Sequence, residues 1–198
     1  MPQRTLFYVT DFQKDELEVW DRARQNEGDA FGQLFDLHRH RVFARALGLM
    51  ENWHDAENVT AAAFFELWRR RRAVRIVHGS VLPWLLVTTV NLARNGRRST
   101  IRYERFLRTV PRADPIDGPD AEPTETRQRL TDSLARLSPV DAALFVLTVL
   151  EDLPMAQAAE AVGLKPSTAR VRLHRARARL RVDLHDLNPI PNPAEVTF

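Results

Sequence analysis

The sequence predicts an all-α protein of two small helical domains, and three features of the 198-residue chain support this. Apolar residues recur at the three- and four-residue spacing of helices in several separate stretches. Prolines and glycines stand at the ends of these stretches, where helices begin and end. Between the two groups of stretches, residues 111–124 combine four prolines with acidic residues and have almost nothing to bury, which is typical of an extended linker.

The linker sets the expected domain boundaries. We expect a first domain at residues 29–110 and a second at residues 125–187. Residues 1–28 are then a polar, acidic N-terminal extension, with part of it helical around residues 15–25. Residues 188–198 form a tail punctuated by prolines. The pattern of the sequence assigns neither end a role.

Three helices are expected in the first domain. Their predicted ranges are 29–50, 55–72 and from Pro83 onward, with a loop at residues 73–82. The carboxylate of Asp29 is expected to cap the first of them. The first helix carries a broad apolar stripe, so we expect it to pack in the core of the domain.

The second of these helices is apolar on two sides. One stripe, expected to face the core, contains Ala56, Val59, Ala63 and Leu67. The other stripe, more than 100° away and bordered by polar residues and arginines, contains Ala61, Phe65 and Trp68. A helix with two apolar sides either lies deep in a core or binds a partner, and the periodicity leaves both open.

The third helix has an unusual polar stripe opposite its expected buried side. The buried side contains Leu85, Leu86, Thr89, Leu92 and Ala93, and the polar stripe contains Trp84, Thr88, Asn91, Asn95 and Arg98. A ring that stacks on a base, amides that pair with base edges and a cation for the backbone suit single-stranded nucleic acid. A plain solvated helix is the alternative.

The second domain ends in a helix-turn-helix pattern. After two helices expected at residues 125–137 and 138–150, a short helix is predicted from Pro154 to Val162. Gly163 follows at the C′ position, where a left-handed backbone favours glycine. A longer helix then opens at residues 165–168. In the helix-turn-helix of DNA-binding proteins, this second helix lies in the major groove.

The longer helix divides into a packed stripe and a cationic arc. The expected packed stripe contains Ala169, Leu173, Ala176, Leu180 and Leu184. No acidic residue interrupts the arc, which contains Ser167, Thr168, Arg170, Val171, Arg172, His174, Arg175, Arg177, Arg179 and Arg181. Arginine can pair bidentately with guanine or clamp a phosphate, so the arc predicts DNA binding. A solvated basic face on an ordinary helical hairpin is the alternative.

The charges of the chain are segregated although the net charge is only +3. Residues 30–110 carry fourteen basic and six acidic side chains, and residues 165–198 carry seven and three. An acidic segment separates them. Two basic segments indicate two nucleic-acid contacts rather than one diffuse polycation.

Other classes of protein are disfavoured by what the sequence lacks. It contains no cysteine, which excludes disulfides and thiolate metal sites and fits a reducing cytosol. No apolar run approaches the roughly 20 residues of a membrane span, and the N-terminus does not resemble a signal peptide. His38, His40 and His54 show no metal-ligand spacing. We therefore expect no cofactor, no metal, no membrane insertion and a cytoplasmic, nucleoid-associated location.

The ordered set of stretches resembles a bacterial RNA polymerase sigma factor of the extracytoplasmic-function (ECF) group over roughly residues 28–185. DAFGQLFDLHRHRVFARAL, DAENVTAAAFFELWRR and PWLLVTTVNLARNGRR are similar to sigma domain 2. LARLSPVDAALFVLTVLEDLP and the helix-turn-helix are similar to sigma domain 4. The family usually has a Gln-Glu pair where this chain has Ala61-Ala62.

The resemblance implies a non-enzymatic subunit that directs RNA polymerase to promoters. Its implied partners are the beta-prime and beta subunits of the polymerase core, duplex and melted promoter DNA, and an anti-sigma factor in those members that have one. The implied contacts to the duplex minus-35 element are Ser167, Thr168, Arg170, Val171, Arg172, His174, Arg175 and Arg177. Those to the melted minus-10 element are Arg75, His78, Ser80, Trp84, Thr88, Asn91, Asn95 and Arg98. Those to the polymerase core are Asp55, Glu57, Asn58, Ala61, Ala62, Phe65 and Trp68.

Two other classes of function compete with this one. A stand-alone helix-turn-helix repressor or activator would use its N-terminal half for dimerisation or sensing and would bind its operator without polymerase. A nucleic-acid enzyme such as a recombinase or nuclease needs a nucleophile or a metal-binding carboxylate cluster. The acidic residues of this chain lie mainly in the linker, the helix caps and the lead-in, which disfavours an enzyme.

Overall fold

The computed structural model describes residues 15–50, 52–107 and 125–187. The expected linker at residues 111–124 and the tail at residues 188–198 lie outside these described residues. Within them the chain is helical apart from short connections, and the only β pairing is an isolated bridge between Val77 and Ser80. The predicted all-α class is confirmed.

Eight α-helices are seen in the described ranges. They are α1 (15–24), α2 (Gly28–Leu49), α3 (Trp53–Arg70), α4 (Leu82–Leu107), α5 (Glu125–Arg136), α6 (Pro139–Phe145), α7 (Met155–Ala161) and α8 (Pro166–Asp183). A π-helical turn at Val146–Leu150 continues α6, and a 3-10 turn at His185–Leu187 follows α8. None of the described helices is both long and apolar enough to cross a lipid bilayer.

The helix caps correct two of the expected starts. Asp29 does not cap α2, because the N-cap residue is Glu27 and Asp29 lies in the first turn, where its charge favours the helix dipole. Helix α3 starts two residues before Asp55. The side chain of Asn52 accepts a hydrogen bond from the Asp55 amide at 2.8 Å, and its own amide donates to the Asp55 carboxylate at 2.9 Å. Asn52 is therefore the N-cap residue at which α3 begins.

Helix α1 belongs to the first bundle, so the described part of the expected N-terminal extension, residues 15–28, packs with that domain. Trp20 is 2% exposed and Ala23 is fully buried, and both lie in one cluster with residues of α2, α3 and α4. The i, i+3 spacing of these two residues gives α1 an apolar face. The other members larger than alanine are Leu34, Val42, Phe64, Leu67, Val74, Val81 and Leu85.

The second bundle is built under α8, as the sequence predicted. Four residues of the expected stripe are buried, and they are Ala169, Leu173, Ala176 and Leu180. Leu184 is only partly buried because α8 ends at Asp183. Leu144 and Leu147 pack with Ala159 and Ala169, so α6, its π-helical turn and α7 support the N-terminal half of α8.

Helix α4 is shared by the two bundles, which the sequence did not predict. One of its faces packs on α2 and α3, and another packs on α5, α6 and α7. Leu86 lies in a cluster with Leu144 and Leu147, while Val90 lies in a cluster with Leu134 and Val146. The two halves of the chain therefore form one continuous packed body.

Polar contacts reinforce this junction between the halves. Arg94 of α4 is 5% exposed, and its guanidinium donates to the carbonyls of Leu134, Ala135 and Leu137 at the end of α5. A cation at the C-terminus of a helix satisfies carbonyls that have no partner within the helix. Arg97 pairs with Asp132 at 2.6 Å one turn further along α4.

Candidate nucleic-acid and partner interfaces

The cationic arc of α8 faces outward. Lys165 is the N-cap residue and Pro166 is the first helical residue, so the helix begins where the sequence predicted. Seven predicted minus-35 contacts are exposed, and they are Ser167, Thr168, Arg170, Val171, His174, Arg175 and Arg177. Val171, at 51% exposure, is the large apolar member. Because the buried stripe holds the opposite side, the arc stands free of the bundle.

Arg172 is the exception in this arc. Its guanidinium lies 2.7 Å from the carboxylate of Asp141 and 3.0 Å from the hydroxyl of Ser138. Ser138 and Asp141 form the N-terminal cap of α6, since the Ser138 hydroxyl accepts from the Asp141 amide. Arg172 therefore fixes α8 to the start of α6, and its predicted contact with the minus-35 element competes with these two internal bonds.

The turn before α8 fixes how the arc is presented. Gly163 has a φ of +71°, a backbone conformation that residues other than glycine rarely adopt. The amide of Leu164 donates to the carbonyl of Ala159 at 2.8 Å, and that of Gly163 donates to Glu160 at 3.0 Å. These bonds are those of a glycine-terminated helix, so the predicted turn of the helix-turn-helix is confirmed.

The second apolar stripe of α3 is only partly open. Phe65 is 63% exposed, Ala61 is also exposed and Ala62 is half-buried. Trp68 packs at 5.0 Å against Phe31 of α2, and the guanidinium of Arg71 covers its ring at 4.1 Å. Phe65 is consequently the apolar side chain that projects from this face, while Trp68 anchors the end of α3.

The polar residues of α3 that are predicted to contact the polymerase core lie on the N-terminal side of Phe65. Glu57 and Asn58 are exposed about two turns away. Asp55 is engaged in the cap with Asn52 and is half-buried. The predicted core-binding residues thus form one face of α3, with Phe65 as its centre.

The connection between α3 and α4 ends in a tight two-residue turn. Val77 and Ser80 exchange backbone hydrogen bonds at 3.1 and 3.2 Å, and His78 and Gly79 between them have φ values of +50° and +74°. Two left-handed residues in succession are typical of a type I′ turn. His78 and Arg75 are both exposed on this connection. We call residues 71–81 the α3–α4 loop.

Ser80 is committed to holding the α3–α4 loop. Its hydroxyl donates to the carboxylate of Glu16 at 2.9 Å and accepts from the amide of Leu82 at 3.1 Å, at the start of α4. The predicted direct contact of Ser80 with DNA therefore competes with two internal bonds. The ordering of the loop is the role that the geometry supports.

Glu16 is a residue that the sequence reasoning missed. Its Oε1 atom accepts from the Val81 amide at 2.8 Å and lies 2.8 Å from Nε2 of His38, in addition to the bond from Ser80. A signal was present: Glu16 lies four residues before Trp20 and seven before Ala23, on the same helical face. An acidic residue on an apolar stripe indicates a buried carboxylate with dedicated partners.

The predicted minus-10 stripe of α4 is partly embedded. Trp84, Thr88 and Asn91 are half-buried and Asn95 is exposed, while the side chain of Arg98 lies outside the described residues. The Oδ1 atom of Asn91 is buried and accepts no hydrogen bond. The stripe is therefore only partly accessible in this arrangement of the chain.

No three histidine or acidic side chains converge as a metal site in the part of the chain that the structure describes. His38 is buried against Glu16, whereas His40 and His54 are exposed.

Comparison with known proteins identifies both halves. Residues 34–103 match the family Sigma-70 region 2, and residues 127–180 match the family Sigma-70, region 4. The RNA polymerase sigma factor CarQ of Myxococcus xanthus is 30% identical over 169 residues, which cover 84% of this chain and 96% of that protein. The ECF RNA polymerase sigma factor SigE of Mycolicibacterium smegmatis is 31% identical over 158 residues, covering 77% of this chain and 60% of SigE.

The fold also matches a solved structure. CnrH, solved in complex with the cytosolic domain of CnrY, superposes with a TM-score of 0.57 at 21% identity, covering 87% of this chain and 98% of CnrH. The chain belongs to the RNA polymerase sigma factor family, within its extracytoplasmic-function group. It is a transcription initiation factor, and the alternative of a stand-alone helix-turn-helix regulator is not favoured.

Proposed function

We propose that this chain binds the RNA polymerase core through α3, reads a duplex promoter element with α8 and holds unpaired promoter bases with the α3–α4 loop and α4. The observation that carries the proposal is the uninterrupted cationic arc of α8, displayed outward by a helix-turn-helix. Binding of DNA and polymerase completes the task, so the chain itself supplies no catalytic group. The proposed place of action is the nucleoid, where the promoter DNA lies.

Recognition of the minus-35 element is assigned to the first turns of α8. Arg170, His174 and Arg175 can each reach base edges or phosphates from this end, and Val171 can contact a thymine methyl group. Ser167 and Thr168 lie at the positive end of the helix, where they can donate to a phosphate. Arg172 orients α8 through its bonds to Asp141 and Ser138 at the start of α6.

Capture of the minus-10 element is assigned to the stripe of α4 together with the α3–α4 loop. Trp84 offers a ring on which an unpaired base can stack, and the amide of the half-buried Asn91 lies on the same stripe. Thr88 and Asn95 add hydrogen-bonding groups, and Arg75, His78 and Arg98 add donors for the backbone. These bonds form only with unpaired bases, so they shift the duplex toward the melted state without chemistry.

Binding of the polymerase core is assigned to the exposed face of α3. A half-exposed or exposed aromatic among small and polar residues is a frequent anchor of a protein interface. Phe65 fills this role, with Ala61 and Ala62 allowing close approach of a partner helix. In place of the polar Gln-Glu pair usual in the family, this chain presents an apolar contact.

The test is transcription in vitro from a promoter library with purified core polymerase, with and without the protein. The expected result is selective initiation from one promoter class only when both are present. A gel shift with promoter duplex is run in parallel and is expected to be weak without core, because tethering to polymerase raises the effective concentration of α8 at the DNA. Tight, specific binding to DNA without core, together with no effect on initiation, contradicts the proposal.

A further inference from the structure

We propose that Glu16 is a positioning residue for promoter melting: its buried carboxylate holds the α3–α4 loop in the shape that offers His78 and Arg75 to the backbone of the unpaired strand. The proposal rests on the proposed capture of the minus-10 element by this loop. It assigns a role to α1, which lies before the segment that matches Sigma-70 region 2.

Three parts of the fold meet at one carboxylate oxygen. Oε1 of Glu16 accepts from the Ser80 hydroxyl at 2.9 Å and from the Val81 amide at 2.8 Å, and His38 Nε2 lies at 2.8 Å. Ser80 ends the turn of the loop, Val81 precedes α4 and His38 lies in the middle of α2. Glu16 therefore ties the loop to both long helices of the first bundle.

Because Glu16 and its partners are buried, water cannot readily replace the hydrogen bonds that the carboxylate makes. Glu16 is 7% exposed and His38 is 6% exposed, so neither is surrounded by water that could replace a lost partner. A buried carboxylate is retained in a protein only where hydrogen bonds compensate its desolvation. Removal of the carboxylate leaves the Val81 amide, which is backbone of the loop itself, buried without an acceptor.

The tip of the loop depends on this support. His78 has a φ of +50°, which a residue with a side chain adopts only where the surrounding structure imposes it. At its start the loop is bound to the end of α3 by the amides of Ala73 and Val74, which donate to the Arg70 carbonyl. At its end the Ser80 hydroxyl and the Val81 amide donate to Glu16. A loop already ordered in its binding shape loses less entropy when it captures a strand.

The variants distinguish positioning from direct contact with DNA, because the Glu16 side chain is buried and cannot itself contact a DNA strand. Glu16→Ala is expected to lower the permanganate reactivity of unpaired promoter thymines about tenfold, a change of about 1.4 kcal/mol in the melting equilibrium. Glu16→Gln keeps a neutral acceptor for Ser80 and Val81 and is expected to recover most of the reactivity. Glu18→Ala, on the exposed side of the same helix, is the matched control and is expected to match wild type.

Each variant is assayed as full-length protein with core polymerase, and core binding is measured by fluorescence polarisation in the same samples. Normal core binding with reduced melting supports the proposal. Normal melting by a folded Glu16→Ala, or a parallel loss of core binding and melting in Glu16→Gln, overturns it. Failure of the wild-type protein to direct any initiation contradicts the proposed function instead, so the two failures are distinguishable.

If Glu16→Ala does not fold, Ser80→Ala replaces it. This variant removes one donor to Glu16 and the acceptor for the Leu82 amide while leaving the buried carboxylate with its other bonds. Reactivity is then expected to fall about threefold with core binding unchanged. Equal melting by Ser80→Ala and wild type overturns the proposal.

Discussion

Nε of Arg45 in α2 lies 2.6 Å from Oε1 of Glu151, which follows the π-helical turn of the other bundle. Arg41 reaches the second carboxylate oxygen at 2.8 Å, and Arg45 also donates to the carbonyl of Leu150 at 3.0 Å. The side chain of Glu151 is only 5% exposed. One buried carboxylate thus joins two arginines across the junction of the halves, in addition to the contacts that Arg94 makes with the end of α5.

This closed arrangement has a consequence for promoter binding. A packed chain of this length has a radius of gyration of about 16 Å. Promoter elements about 25 base pairs apart lie about 85 Å from each other along the duplex, at about 3.4 Å per base pair. On the proposed assignment of α8 and the α3–α4 loop to the two elements, the two halves must therefore separate before both can be bound together.

Loss of the Glu151 carboxylate is expected to favour separation. Glu151→Gln leaves two arginines without a counter-charge, and the weakened junction is expected to lower the energy transfer between dyes on Gln33→Cys and Glu160→Cys. The chain has no native cysteine, so both labels are unique. Added salt should act in the same direction on the wild type, because it screens the partly exposed Arg41 pair.

The matched control for this experiment is Glu18→Gln, which removes one exposed negative charge away from the junction. It should leave the transfer efficiency unchanged. An efficiency that is low in the wild type without DNA or polymerase, and is indifferent to Glu151, would contradict the closed arrangement as the state in solution.

Substitution of Arg172 is expected to affect stability, whereas substitution of its exposed neighbours Arg175 and His174 is expected to affect promoter choice. Arg172→Ala breaks the bonds to Asp141 and Ser138, so it should lower the free energy of unfolding by about 1 kcal/mol and Tm by about 2–4 °C. Arg175→Ala and His174→Ala, which are exposed, should leave Tm unchanged and alter the choice among minus-35 sequences. Thermal melting and transcription from a minus-35 library measure the two effects. An Arg172→Ala that melts like wild type would refute its structural role.

Phe65→Ala is expected to weaken the binding of core polymerase about tenfold or more, because an exposed aromatic that becomes buried in an interface often contributes more than 1 kcal/mol. Its folding should be unaffected since the ring is 63% exposed. Val182→Ala, 71% exposed at the end of α8, removes a similarly open apolar side chain from another surface. Polarisation titration of both variants against core decides the assignment, and equal affinities would remove Phe65 from the interface.

The junction of α5 with the end of α8 should be sensitive to acid. Hydrogen bonds from Arg129, at 2.5 and 2.6 Å, lower the pKa of Asp186 from 3.8 to about 2. A carboxyl group whose pKa is lowered by folding stabilises the folded state above its ordinary pKa, and this contribution is lost as the pH falls toward 2.

Accordingly, the difference in Tm between wild type and Asp186→Asn should be constant above about pH 4.5 and should narrow as the pH falls from about 4 to about 2. Asp15→Asn, another exposed carboxyl group, serves as the control. A difference that widens with acid would contradict the role of the Arg129 pair.

Much of the candidate site was accessible from sequence because it depends on local pattern. The spacing of Ala169, Leu173, Ala176 and Leu180 determined which side of α8 is buried, and hence which side carries the arginines. Gly163 marked the turn, because few other residues adopt its backbone conformation. Ser138 and Pro139 marked the start of α6 for the same kind of reason. Each of these features is set by residues within a few positions of one another.

Long-range pairing decided the rest. Glu16 and Ser80 are 64 residues apart, and Arg45 and Glu151 are 106 residues apart, so no local period relates them. The same holds for Arg172, whose place in the cationic arc is visible in the sequence but whose partner Asp141 belongs to another helix. The sequence by itself determined the helices, the helix-turn-helix and the exposed faces. Only the tertiary structure decided which charged side chains are bound internally and that α4 joins both halves, because burial and ion pairing depend on segments that folding brings together.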